Sequence, residues 1–137
     1  MTVLIVDDEK VICEGLRTLV DRLRLPELTT LRTAYRADDA LQIVREIMPD
    51  ILVTDIRMPG KSGLELIADA RRIRPDLRAI IVTGHDDFQL VREALRLEAI
   101  DYLLKPATRD EVRSALVRAI DEITRIKTTR TAIDNDR

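Results

Sequence analysis

Short apolar runs that alternate with longer stretches of helical period predict an α/β fold, a parallel sheet covered by helices. Two further observations support it. Three of the runs, VLIV (3–6), ILVT (51–54) and AIIVT (79–83), are almost unbroken apolar, as strands buried on both faces require. Each ends on polar or charged residues, so the chemistry-bearing groups collect just past the strand ends.

Taken in order, VLIV opens the sheet, and Ile12, Leu16, Leu19, Val20 and Leu23 then recur at helical spacing on one face until Pro26 ends the helix. The second run, TLRTAY (30–35), mixes polar with apolar residues and suits an edge strand. Helix two carries Leu41, Val44 and Ile47 and stops before Pro49, and ILVT follows as strand three. Helix three begins at Ser62, where Ser62-x-x-Glu65 forms a capping box worth about 1 kcal/mol, and ends before Pro75. AIIVT is strand four. Helix four starts near Asp86 with Leu90, Val91, Ala94 and Leu97, and DYLL (101–104) is strand five. A second capping box, Thr108-x-x-Glu111, starts helix five, which carries Val112, Leu116, Ile120 and Ile123. No internal repeat occurs.

Composition narrows the function. A chain of 137 residues, 45% apolar and 35% charged, has the size and make-up of one soluble globular domain. Its 23 basic against 25 acidic residues, net charge -2, provide no basic surface for nucleic acid, so DNA contact in a regulator of genes would fall to a part outside this chain. Cys13 is the one cysteine and His85 the one histidine, which excludes an internal disulfide and a structural zinc site. Any metal would be held by oxygen. TVLIVDDE is too short for a signal peptide and no run approaches the roughly 20 apolar residues of a membrane span, so a cytoplasmic location with no membrane contact is expected.

In parallel sheets of this kind ligands bind outside the carboxyl ends of the strands. The residues there are Asp7 and Asp8 after strand one, Asp55 after strand three, Thr83 closing strand four, and Lys105-Pro106 after strand five. Each has a plainer role when taken alone: the first two aspartates as helix caps, Asp55 in a turn, Thr83 as a last strand residue, Lys105 as a solvated loop charge. Together they place three carboxylates, a hydroxyl and an ammonium at one end of the sheet. Two carboxylates about 4 Å apart repel by about 4 kcal/mol at an effective dielectric of 20, so the cluster requires cations. Lys105 supplies one, and a hard divalent ion, Mg²⁺, suits the remaining oxygens. Such a group is fitted to phosphoryl transfer with a carboxylate nucleophile.

VDDE (6–9), the run D-I-R-M-P-G-x-x-G from Asp55 to Gly63, VTG (82–84) and YLLKP (102–106) together resemble the receiver domain of bacterial two-component response regulators, over residues 2 to about 125. The resemblance implies a flavodoxin-like doubly wound sandwich, strand order 2-1-3-4-5 with five helices. It implies a signalling domain rather than an enzyme with turnover, phosphorylated on Asp55 by a sensor histidine kinase. Asp7, Asp8, Asp55 and the main-chain carbonyl of Arg57 would hold Mg²⁺, Thr83 and Lys105 would bind phosphoryl oxygens, and Lys105-Pro106 would be cis. Thr83 and Tyr102 would form the conformational switch, and Arg57 and His85 would tune dephosphorylation. Homodimerisation on phosphorylation is implied through helix four, strand five and helix five. Many receivers have glycine where Glu98 stands, so the resemblance carries over to the site but not to the exact geometry of the turn after helix four.

Residues 86–106 look most like receivers joined to an arabinose-regulator-type (AraC) DNA-binding output. Residues 1–125 form the receiver unit on this reading, and 126–137, polar and without a core pattern, form a tail or the start of a linker to an absent output domain. Three rivals stand beside it. A haloacid-dehalogenase-like phosphatase would need an aspartate two residues past the nucleophile, where Arg57 stands. A nucleotide-binding module would need a Walker or G-x-G-x-x-G pattern, which is absent. A receiver-like interaction domain that is not phosphorylated is disfavoured by the intact set Asp7, Asp8, Asp55, Thr83 and Lys105.

Overall fold

The computed structural model describes residues 1–85 and 88–135, the side chains of 126–135 excepted. Five strands, β1 (Thr2–Val6), β2 (Thr30–Ala34), β3 (Ile51–Thr54), β4 (Arg78–Thr83) and β5 (Asp101–Leu104), form one parallel sheet in the order β2-β1-β3-β4-β5. Helices α1 (Lys10–Arg22), α2 (Ala37–Ile47), α3 (Gly63–Ile73), α4 (Phe88–Arg96) and α5 (Arg109–Asn135) alternate with them. The expected fold and strand order are observed.

The period of two along each strand divides the core. Leu4, Val6, Leu52, Ala79 and Ile81 face α2, α3 and α4. Val3, Ile5, Ile51, Val53, Ile80 and Val82 face α1 and α5. β1, β3 and β4 are therefore the strands covered on both sides, and β2, with its exposed polar residues, is an edge.

Helix boundaries follow local chemistry. Ser62 caps α3 by accepting from the Glu65 amide at 3.2 Å. At α5 the box closes in both directions: Thr108 Oγ1 accepts from the Glu111 amide at 3.1 Å and Glu111 Oε1 accepts from the Thr108 amide at 3.0 Å. That amide, first, and the hydroxyl hold the Glu111 carboxyl below its usual range.

Three elements differ from the sequence expectation. On α1, Cys13 is fully buried and Ile12 is exposed, so Cys13 takes the inward place expected of Ile12, while Leu16, Leu19, Val20 and Leu23 face the core as expected. α5 runs on to Asn135, through residues without a core pattern; among the side chains described, the last buried one is Ile123. α4 ends at Arg96, leaving Leu97 in the turn, and its expected start near Asp86 lies outside the described residues. The turn itself shows what Glu98 does: it adopts the left-handed conformation at φ 54° that glycine takes most easily, at a cost on the order of 1 kcal/mol. Arg71 of α3 donates to the Glu98 carbonyl at 3.3 Å and to that of Leu77 at 3.3 Å, which holds the turn. Burial, with Arg78 nearby, lowers the pKa of that guanidinium.

Candidate functional site

Parallel pairing brings the ends of β1 and β3 level, Val6 opposite Thr54, so Asp7 and Asp55 emerge side by side. The Asp55 amide donates to the Val6 carbonyl at 3.0 Å, one more rung of the ladder, which fixes the nucleophile candidate on the sheet rather than on a free loop. Carboxylate oxygens of Asp7, Asp8 and Asp55 all lie within 4.8 Å of one another. Lys105 reaches in from the end of β5, its Nζ 2.6 Å from Asp7 Oδ2 and 2.9 Å from Asp55 Oδ2. The Lys105-Pro106 peptide is cis.

Electrostatics follow from these distances. Desolvation lowers the pKa of Lys105, but its hydrogen bonds to Asp7 and Asp55 outweigh it and the net shift is upward, so the ammonium stays charged. One ammonium against three carboxylates leaves the cluster anionic. Its donors are all oxygen, which fits a hard divalent cation. Asp55 is 7% exposed in its side chain: Oδ1 accepts from the Ile56 amide at 2.7 Å and Oδ2 from Lys105, so an incoming group meets a carboxylate already aimed and only narrowly open. The plainer role of Asp7 is present as well, since its Oδ1 accepts from the Glu9 amide at 2.9 Å.

The chain is shaped to keep Asp55 in place. Gly60, at φ 83°, turns the backbone after Pro59. Gly63 then lies against the backbone of Asp55: a Cβ there would stand 1.8 Å from the Asp55 carbonyl oxygen. The Gly63 amide donates to the Ile56 carbonyl at 2.7 Å.

Thr83, His85 and Tyr102 form a second group. Thr83 is fully buried and its hydroxyl accepts from the His85 amide at 3.4 Å, while the Tyr102 hydroxyl donates to the His85 carbonyl. The Lys105 amide donates to the Thr83 carbonyl at 2.8 Å, tying the two groups together through main chain. Arg57 is exposed beyond Asp55, and among the described residues no hydrogen bond or ion pair ties its side chain to the cluster.

Sequence reasoning missed three neighbours. Tyr35 donates its hydroxyl to Glu14 and carries Lys10 over its ring at 5.5 Å. Arg36, with Asp8, Tyr35, Pro59 and Gly60, lines an open pocket of about 400 Å³. Cys13 donates its thiol towards the Ile5 and Ala34 carbonyls, and burial first, then Asp7 and Glu14, pushes it up to about 11, so it is no nucleophile at neutral pH. The residue pattern YRADDAL held the signal for the first two, as polar groups directly after an edge strand.

The sequence matches the response regulator receiver domain family over residues 3–117. It is 36% identical over 114 residues to an uncharacterized response regulatory protein of Staphylococcus epidermidis, covering 83% of this chain and 44% of that protein. With the transcriptional regulatory protein HptR of Staphylococcus aureus it shares 33% over 118 residues, 86% of this chain and 46% of HptR. The chain thus spans less than half the length of the curated relatives it matches. Among solved structures, a response regulator receiver domain protein from Clostridium thermocellum superposes with a TM-score of 0.83 at 28% identity, covering 91% of this chain and 98% of that one. The REC domain of AraT, a response regulator from Geobacillus stearothermophilus, gives 0.82 at 32% identity, covering 92% and 97%.

Proposed function

This chain belongs to the response regulator receiver domain family, and from that premise we propose that it accepts a phosphoryl group on Asp55 from a sensor histidine kinase and relays it as a change of conformation to an output that controls transcription. The observation that carries this reading is the meeting of Asp55 with Asp7, Asp8 and Lys105 at the carboxyl end of the sheet.

An Asp55 carboxylate oxygen attacks phosphorus, a P–O bond forms, and the bond from phosphorus to the donor's imidazole nitrogen breaks with its electron pair returning to that ring. Lys105 lowers the repulsion between the carboxylates before transfer and turns to a phosphoryl oxygen after it. The Thr83 hydroxyl takes a second phosphoryl oxygen, exchanging the weak bond from the His85 amide for a charge-assisted one. Asp7, Asp8, Asp55 and the carbonyl of Arg57 would hold Mg²⁺, which supplies neutralisation of phosphoryl charge when bound. Release of Thr83 from the His85 segment frees the partner of Tyr102, so Thr83 and Tyr102 act as the switch. Arg57 and His85, each two residues past an active group, set the approach of the hydrolytic water and so the lifetime of the adduct. Replacing both is expected to change the dephosphorylation rate.

The output belongs to a domain outside this chain, joined through residues 126–137, with residues 1–125 as the receiver unit; DNA contact falls to that output, of arabinose-regulator type on the strength of residues 86–106. Exposed Leu95 and Leu104 supply apolar surface for a homodimer formed on phosphorylation.

Intact-mass measurement after incubation with acetyl phosphate and Mg²⁺ tests the reading. One labile phosphoryl adduct is expected on the native protein and none on Asp55→Asn. An adduct that persists in the variant, or a native protein that stays unmodified, would remove Asp55 from its role.

A further inference from the structure

We propose, building on the phosphoacceptor reading above, that Arg36 selects dianionic small-molecule phosphodonors by meeting their phosphoryl group in the pocket beside Asp8. Two pockets border residues of the cluster, one at Lys105 and one at Asp8. One, of about 410 Å³, is apolar and borders Lys105, whose ammonium is already shared between Asp7 and Asp55. The other holds Asp8 and Arg36. Arg36 directly precedes α2 with extended backbone, φ -142° and ψ 149°; its side chain makes no capping bond to the helix and is exposed. Among the described residues no ion pair holds its guanidinium. The neighbouring wall is already engaged, because Tyr35 is tied to Glu14 and covered by Lys10.

The physical need is plain. With a divalent cation bound, three carboxylates and one ammonium leave the cluster close to neutral, so a further cation at the entrance adds the attraction that raises the local concentration of a dianion. An arginine does this with a planar fork that matches phosphate oxygens. In this role Arg36 meets non-bridging phosphoryl oxygens of the arriving donor and neither attacks phosphorus nor takes the leaving group, and its effect scales with the donor's net charge.

Acetyl phosphate, a dianion at neutral pH, and phosphoramidate, a net monoanion, separate the effect from a general one. The time course of the Asp55 adduct is followed by intact mass at saturating Mg²⁺ for the native chain, Arg36→Ala and Arg36→Lys. For Arg36→Ala the second-order rate constant with acetyl phosphate is expected to fall about fivefold and that with phosphoramidate by at most about twofold, with a flatter dependence on ionic strength. Arg36→Lys is expected to recover part of the loss. Equal losses with both donors, or no loss with either, would overturn the role of Arg36. A native chain that forms no adduct with either donor would instead overturn the phosphoacceptor reading on which this one rests.

Discussion

Helices α3 and α4 cover the same face of the sheet, yet they are held very differently. α3 buries Gly63, Leu64, Leu66, Ile67 and Ala70 and runs so close to β3 that Gly63 has no room for a side chain. α4 buries only Ala94, leaving Phe88 72% and Leu95 70% exposed. Apolar burial is the main source of local stability, so the α3 side resists deformation and the α4 side is placed to move at small cost. Asp55 stands on the first side and the Thr83, His85 and Tyr102 group on the second. The proposed function draws on both: an acceptor held in place, and a neighbour whose position can change.

Four substitutions test this contrast, in order of expected effect. Gly63→Ala drives a methyl into the Asp55 carbonyl and is expected to cost about 3 kcal/mol or more, read as a lowered urea midpoint; a change below about 1 kcal/mol would show that the α3 side yields easily. Lys105→Met leaves Asp7 and Asp55 unpaired in a nearly buried site. It is expected to lose on the order of 3 kcal/mol without divalent ions, with part of the loss recovered on adding Mg²⁺; stability unaffected by Mg²⁺ would argue against a cation site there. Arg71→Met removes the tie between α3 and the turn after α4. The expected cost is about 1 kcal/mol, with faster amide exchange at Glu98 to Ile100 and little change in α3. Leu95→Lys, on the exposed face of α4, is expected to shift stability by no more than about 0.5 kcal/mol; a large loss would mean that α4 is better anchored than its burial indicates.

The same contrast explains how much could be read beforehand. Asp7, Asp8, Asp55 and Lys105 were legible because each directly follows an apolar run, and a parallel sheet aligns such ends whatever the details of packing. On α1 only Ile12 departs from the expected inward face, since the spacing of Ile12 and Leu16 is as good as that of Cys13 and Leu16; Leu16, Leu19, Val20 and Leu23 pack on the core as their period predicts. Glu98 was visible as an oddity, but Arg71, 27 residues earlier, was not visible as its support.

By itself the sequence determined the alternation of strands and helices, the caps at Ser62 and Thr108, and the charges that gather at the carboxyl end of the sheet, because these depend on hydrophobic period and on bonds within a few residues. Tertiary structure decided which oxygen meets which cation: that Lys105 spans Asp7 and Asp55, that Asp55 is nearly closed over, that Arg36 shares a pocket with Asp8, and that α4 is left lightly held. Those outcomes turn on distances of an ångström or two between residues far apart in the chain, which are set by how helices of particular bulk settle on the sheet.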